Sequence, residues 1–320
     1  MEFRRVTRSF AARRGLFDPR PARLLAVNDV SLTLEAGETL GLVGESGCGK
    51  STLARMAVRL LAPSSGGVTL EGRPLEQWPS PDLARRVQMV FQDPFSSLDP
   101  RHRVGASVAE PLLLAGRAQG RAPSRSELRE AARAMLERVG LPAEYAERYP
   151  HEFSGGQRQR VAVARALIAG PRLVVCDEPV SALDASVQAQ VLNLLRDAQE
   201  ERGLTYLFIS HDLGVVGFMS DRVAVMYLGR MVELAAREEL FGRAAHPYTE
   251  ALLAAAPVRD HGARRERPAL TGDLPSPLNP PSGCAFHPRC PRAGDICSRE
   301  EPLLTELRPG HLVRCHFPLS

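Results

Sequence analysis

The sequence predicts an α/β fold: a P-loop NTPase core, a helical subdomain and a small Cys/Pro-rich C-terminal appendage. Three observations predict it. Short apolar runs alternate with stretches of helical periodicity through the first two thirds of the chain. The first of those runs ends on Gly44-Glu45-Ser46-Gly47-Cys48-Gly49-Lys50-Ser51, which fits the phosphate-binding pattern G-x-x-x-x-G-K-[ST]. Beyond about residue 257 the composition shifts, with Pro275, Pro277, Pro280, Pro281, Pro288, Pro291 and Pro302 closely spaced. Proline removes backbone donors and stops helices, so this tail is expected to add no ordinary helical or sheet layer.

The elements follow in order. The N-terminus is basic (Arg4, Arg5, Arg8, Arg13, Arg14) but has no apolar stretch like that of a secretory signal. It is read as a solvated leader before the first strand, with a transit peptide as the alternative. Thr39 to Val43 is a buried strand. Leu53, Met56, Ala57, Leu60 and Leu61 then lie on one helical face. Strand, glycine loop and helix are the context a P-loop needs, because the helix N-terminus points free N–H groups at the phosphates. Val87 to Phe91 is a second strand. A helical stretch spans about Pro94 to Gly140, clearest over Ser126 to Val139. Leu173 to Cys176, a helix over Val187 to Glu200, and Thr205 to Ser210 form another strand–helix–strand set. Val223 to Glu233 reads as two strands turning at Gly229. The expected division is 1–256 for the core, with its helical subdomain at about 94–170, and 257–320 for the tail.

Composition narrows the function. Of the 320 residues 44% are hydrophobic and 24% charged, as in a soluble globular protein. A net charge of +4 from 41 basic and 37 acidic side chains is too weak to argue for a nucleic-acid partner, and none is expected. No apolar run approaches the ~18 residues of a membrane span. Forty arginines accompany one lysine, Lys50, and it lies in the glycine loop. An ammonium is a compact charge that fits between β- and γ-phosphates; a guanidinium is broad and planar. Nucleotide binding is therefore the first expectation.

Two more motifs carry chemistry. Leu173-Val174-Val175-Cys176-Asp177-Glu178 is an apolar strand ending in two carboxylates, where open α/β sheets face their ligands. Asp177 with Ser51 can hold Mg²⁺, and Glu178 can polarise water. A solvated turn is the plain alternative. Phe153-Ser154-Gly155-Gly156-Gln157 precedes a helix and offers a second anion site at its N-terminus. One nucleotide needs only one such site per chain, so the second implies a γ-phosphate held between two chains. The plain alternative is a helix cap with Ser154 as N-cap.

In these residues the chain resembles the ATP-binding-cassette (ABC) ATPases. The resemblance assigns Gly44–Ser51, with Thr52, to Walker A; Asp177 and Glu178 to Walker B and its catalytic glutamate; and Ser154, Gly155, Gly156 and Gln157 to the signature loop. Gln92 matches the Q-loop glutamine, which senses the metal and γ-phosphate. Ser181-Ala182-Leu183-Asp184 matches the D-loop, and His211 the switch histidine. Phe153 stands where many cassettes have leucine. Phe91 to Pro100, His246-Pro247-Tyr248-Thr249 and the cysteine tail are similar to oligopeptide/dipeptide importer ATPases, most of all the second, F-type subunit. Phe10 resembles the aromatic that stacks on adenine, with Phe3 and Phe17 as competitors.

The resemblance implies an ATP-hydrolysing subunit of a di- or oligopeptide importer, peripheral to the cytoplasmic face of the membrane. It also implies a second ATPase subunit, two permeases and an extracytoplasmic binding protein. Nickel chelates and glutathione-like molecules are alternative cargoes. A soluble ABC ATPase of DNA repair or translation is the alternative class, and a P-loop kinase or GTPase has no use for Ser154–Gln157. Cys284, Cys290, Cys297 and Cys315 cluster near the end without the tight pairs of common zinc sites. In a reducing compartment they suggest metal before disulfides. A [4Fe–4S] cluster, which the resemblance implies for some members, zinc, and unligated thiols stay open. Cys48 and Cys176 read as small incidental residues.

Overall fold

The computed structural model describes residues 1–15, 18–93, 98–181, 183–255 and 272–319; for 12–15 and 18–22 only the backbone is described. In chain order the strands are β1 (Glu2–Gly15), β2 (Asp18–Thr33), β3 (Thr39–Val43), β4 (Ser65–Leu70), β5 (Arg73–Pro74) and β6 (Val87–Val90). They continue with β7 (Leu173–Asp177), β8 (Thr205–Ile209), β9 (Arg222–Tyr227), β10 (Arg230–Ala236), β11 (Thr305–Arg308) and β12 (His311–Val313).

The main sheet has the order β11-β12-β10-β9-β3-β8-β7-β6. Its β9-β3-β8-β7-β6 portion is parallel. Every residue of β3, β7 and β8 is buried. That is why these strands read as unbroken apolar runs and not as alternating ones: both faces are covered. The helix Lys50–Ala57 lies against this sheet through Leu53, Met56 and Ala57, between it and an antiparallel sheet β2-β1-β4-β5. The predicted α/β P-loop fold is the observed one.

A helical layer covers the other side. Helices Val104–Ala118, Arg125–Arg138 and Gly155–Leu167 share one core around Val108, Leu136 and Val161, each 0% exposed. The helix expected from Ser126 starts at Arg125 because Ser124 closes a capping box. The Glu127 N–H donates to Ser124 Oγ at 3.2 Å and the Ser124 N–H to Glu127 Oε2 at 2.7 Å. No described helix is long and apolar enough to cross a membrane.

Two expectations are corrected. The basic N-terminus is not a solvated leader. It is β1, pairing Phe3 with Leu32 and Val6 with Val30. Phe3 and Val6 are fully buried, while the arginines between them face solvent. Two buried apolar residues in so charged a stretch are too weak a pattern to read as a strand. The tail does add to a sheet. β12 pairs with β10, Glu233 opposite Val313 and Leu234 opposite Leu312, and β11 extends the edge. The prolines fall before these strands, so they do not interrupt the ladder. Buried Glu233 fixes the junction by accepting the Ala245 and His246 N–H groups at 2.7 and 2.9 Å and His311 Nε2 at 2.8 Å. The expected boundary at 256/257, Phe17, residues 94–97 and Ala182 lie outside the described residues.

Candidate nucleotide site

The P-loop leaves β3 and enters the helix Lys50–Ala57. Gly49 has φ 109°, and a Cβ there would lie 2.0 Å from the Ala26 carbonyl oxygen, so only glycine fits. Lys50 is 5% exposed. Its Nζ donates to the carbonyls of Gly44 at 2.7 Å and Glu45 at 3.0 Å, and lies 3.8 Å from Cys48 Sγ. The one lysine is thus curled beneath the loop, its charge satisfied by the loop's own oxygens. Cys48 is fully buried, and burial pushes its thiol above the ordinary range. Ser46 and Gly47 are exposed at the loop tip.

Ser51 Oγ donates to Asp177 Oδ1 at 3.0 Å. Burial raises the Asp177 carboxyl, the bond from Ser51 lowers it, and the neighbouring Glu178 charge raises it. A hydroxyl and a buried carboxylate side by side are the hard oxygen donors that Mg²⁺ takes, and the cation would offset the carboxylate's desolvation.

Glu178 follows β7 with φ 50°, a left-handed conformation unusual for a side-chain-bearing residue. Its N–H donates to the Ile209 carbonyl at 3.0 Å, and Ser181 Oγ donates to its carbonyl at 3.2 Å. These bonds hold the turn that aims its side chain across the sheet end. There Glu178 Oε2 accepts from Gln92 Nε2 at 3.0 Å and lies 3.3 Å from His211 Nδ1. Asp177 ends β7, and Lys50, Gln92, Glu178 and His211 follow the C-terminal ends of β3, β6, β7 and β8, four neighbouring parallel strands. The sheet thereby gathers residues spread over more than half of the chain.

The other predicted residues are placed elsewhere. Ser154 and Gly155 are exposed at the start of the helix Gly155–Leu167. Ser154 and Gln157 bond each other: the Ser154 N–H donates to Gln157 Oε1 at 3.0 Å and the Gln157 N–H to Ser154 Oγ at 3.4 Å. A Cβ on Gly156 would meet Val187 Cγ1 at 2.7 Å, so that helix packs closely on the one after the D-loop. Asp184 caps that next helix, accepting from the Ser186 and Val187 N–H groups at 3.1 and 3.0 Å, which hold its carboxyl below the usual range. Thr52 is half-buried in the helix after the P-loop. Phe3 is core and half-buried Phe10 is not. Phe10 pairs with Leu24, two residues from the Ala26 carbonyl that borders Gly49, and the Arg8 guanidinium lies 4.8 Å over its ring.

Two more residues lie against the P-loop: Tyr248, whose motif the sequence marked without placing it at this site, and Arg289, which it did not mark. Tyr248 Oη accepts from the Glu45 N–H at 2.9 Å, and Arg289 reaches the Glu45 carboxylate. Spacing gave no signal that either one meets the P-loop.

In the tail, Cys284, Cys290, Cys297 and Cys315 are free thiols near one another, and the Cys284 N–H donates to the Cys297 carbonyl at 2.8 Å. Burial pushes Cys284 and Cys290 up, and Cys315 up to about 11, with the other three thiols adding to the Cys315 shift. Among the described residues no three His, Cys, Asp or Glu side chains are grouped so as to hold a metal ion. The expected metal gains no support from that grouping.

Two families match the chain. Residues 27–181 match the family described as ABC transporter. Residues 232–297 match the one described as oligopeptide/dipeptide transporter, C-terminal region, which begins inside β10. The chain is 50% identical to the oligopeptide transport ATP-binding protein AppF of Bacillus subtilis, over 99% of this chain and 97% of that one. It is 48% identical to the dipeptide transport ATP-binding protein DppF of Haemophilus influenzae, over 96% and 93%. Among solved structures, the dimeric post-hydrolysis state of the ATP-binding cassette MJ0796 bound to ADP and Pi is similar with a TM-score of 0.65 at 28% identity, over 74% of this chain and 98% of that one.

Proposed function

The chain belongs to the ABC transporter family as an ATP-hydrolysing subunit with an oligopeptide/dipeptide-type C-terminal region, and on that premise we propose that it powers import of dipeptides or oligopeptides. One observation carries the cargo reading: likeness to peptide-transport ATPases extends through the tail and not only through the cassette. A soluble repair or translation ATPase would have no reason to share it.

The residues divide the work as follows. ATP lies along Gly44–Thr52, with Lys50 turning from its carbonyl partners to the β/γ-phosphates and Phe10 stacking on adenine. Ser51 and Asp177, with Gln92, would hold Mg²⁺, which supplies charge neutralisation on the phosphates. Glu178 orients water toward the γ-phosphate. His211, already beside Glu178, steadies the developing charge, and Gln92 links that chemistry to the helical layer. A second cassette lends its signature loop, while Ser154, Gly155, Gly156 and Gln157 of this chain serve the partner's nucleotide and Asp184 lies on the shared face. Hydrolysis removes the anion between the halves and they separate.

Two permeases carry the cargo, and an extracytoplasmic binding protein delivers it. The chain sits peripherally on the cytoplasmic face. Its permease contact is the helical layer, where Ala106, Ala109, Leu113 and Leu128 help line a groove of about 410 Å³. For the tail we favour a [4Fe–4S] cluster on Cys284, Cys290, Cys297 and Cys315. Zinc draws its ligands to about 2.3 Å from one point, whereas a cluster spreads four thiolates over a larger body. The tail's four clustered thiols match the number of ligands such a cluster takes. Iron and acid-labile sulfide in anaerobically purified protein are expected near four each per chain; zinc alone, or no metal, rejects the cluster.

Uptake by proteoliposomes holding both ATPases and both permeases tests the function. Labelled dipeptide or oligopeptide should accumulate only with ATP and binding protein. Accumulation of a nickel chelate or glutathione in place of peptide would reassign the cargo.

A further inference from the structure

One P-loop residue is held from two distant parts of the chain. The Glu45 N–H donates to Tyr248 Oη at 2.9 Å, across 203 positions of sequence. The Glu45 carboxylate accepts both arms of Arg289, Nη1 to Oε2 at 2.7 Å and Nη2 to Oε1 at 3.0 Å, across 244 positions. This is a two-pronged, charge-assisted pair, the strong kind of side-chain hydrogen bond. The Arg289 side chain is only 6% exposed and that of Glu45 25%, so solvent screens the pair little. Arg289 also donates to Tyr227 Oη at 3.5 Å. Behind it Tyr227, Tyr248 and Phe286 pack with ring centroids 4.6 to 5.4 Å apart, a stiff base for both contacts. On its far side the Glu45 carbonyl accepts from Lys50 Nζ at 3.0 Å.

These contacts have two physical consequences. A phosphate loop held in one shape loses less freedom when the nucleotide binds. An unpaired Glu45 would put a carboxylate in the loop that must receive a triphosphate, and Arg289 cancels that charge. We propose that Tyr248 and Arg289 are positioning residues that clamp the P-loop through Glu45, so that the C-terminal region sets the ATP affinity of its own cassette. The proposal rests on the assignment of Gly44–Thr52 as the ATP site.

The test is titration of the full chain with a fluorescent ATP analogue and Mg²⁺, with thermal melting of each variant alongside. Arg289→Ala should raise the Kd by about fivefold or more, the low end of ordinary coupling between sites. Arg289→Lys should recover only part of the loss, because one ammonium cannot engage both carboxylate oxygens. The double variant Arg289→Ala/Glu45→Gln should bind no more weakly than Arg289→Ala, since both changes remove one interaction. Tyr248→Phe should raise the Kd with little change in melting temperature. A Kd for Arg289→Ala within about twofold of the parent, or losses that multiply in the double variant, overturns the clamp. If Arg289→Ala does not fold, Tyr248→Phe, which leaves the charge of the loop unchanged, decides by the same criterion. Failure of the parent chain to bind the analogue, or equal binding by Lys50→Ala, would instead sink the assignment of the ATP site and leave the clamp without a ligand to act on.

Discussion

Two glycine loops in this chain each open a helix, yet they are built differently. The P-loop is crowded. Its lysine is buried on loop carbonyls, its serine meets Asp177, and Gln92, Glu178 and His211 meet one another at the same sheet end. The signature loop stands apart, exposed, with Ser154 and Gln157 bonded to each other. The first has polar side chains from the ends of four strands around it. The second has only a capped helix N-terminus to offer. On the proposed function, the difference means that a nucleotide would complete the first loop, whereas the second would complete the site of a partner cassette.

That contrast can be broken or sharpened by experiment. The largest effect should come from Glu178→Gln, which keeps the shape and removes the charge. ATP turnover in the assembled complex, read as phosphate release, should fall about 10²–10⁴-fold, the usual worth of a positioned acid–base group, while ATP binding persists. Loss of binding would make Glu178 part of the grip and blur the division.

Acid should disturb the P-loop side before the signature side. His246, two residues before the tyrosine that holds Glu45, is fully buried, and burial lowers its pKa to about 4. Below its usual value near 6.5 the unfolded chain takes a proton that the folded chain refuses until about pH 4. Stability should therefore drop as pH falls across that window, by up to about 3 kcal/mol. His246→Gln should flatten the drop in denaturant midpoints measured from pH 7 to 4, and an unaltered slope would remove His246 as its source.

The smallest effect belongs to Ser154→Ala. Loss of the cap should cost about 1 kcal/mol of stability. ATP affinity of the isolated chain should stay as it was, while ATP-dependent association with the partner cassette weakens, as light scattering would report. A fall in the chain's own affinity would mean that both loops serve one site.

Much of this was legible in the sequence, for a physical reason. Strands buried on both faces leave unbroken apolar runs, so β3, β7 and β8 were readable, as were the motifs at their ends. The strands β1 and β12 were not. In β1 the inward residues Phe3 and Val6 are diluted by arginine, and the proline count before β12 argued against any sheet. The capping box at Ser124 moved a helix start by one residue. The bond between Glu45 and Arg289 joins positions 244 apart and follows from how the tail folds back, which no local pattern encodes.

The buried Lys50 has a practical corollary. The polypeptide carries a single ε-amine, that of Lys50. Acylation followed by peptide-level mass spectrometry would thus read one lysine adduct, and its change with nucleotide would turn adduct yield into a gauge of site occupancy.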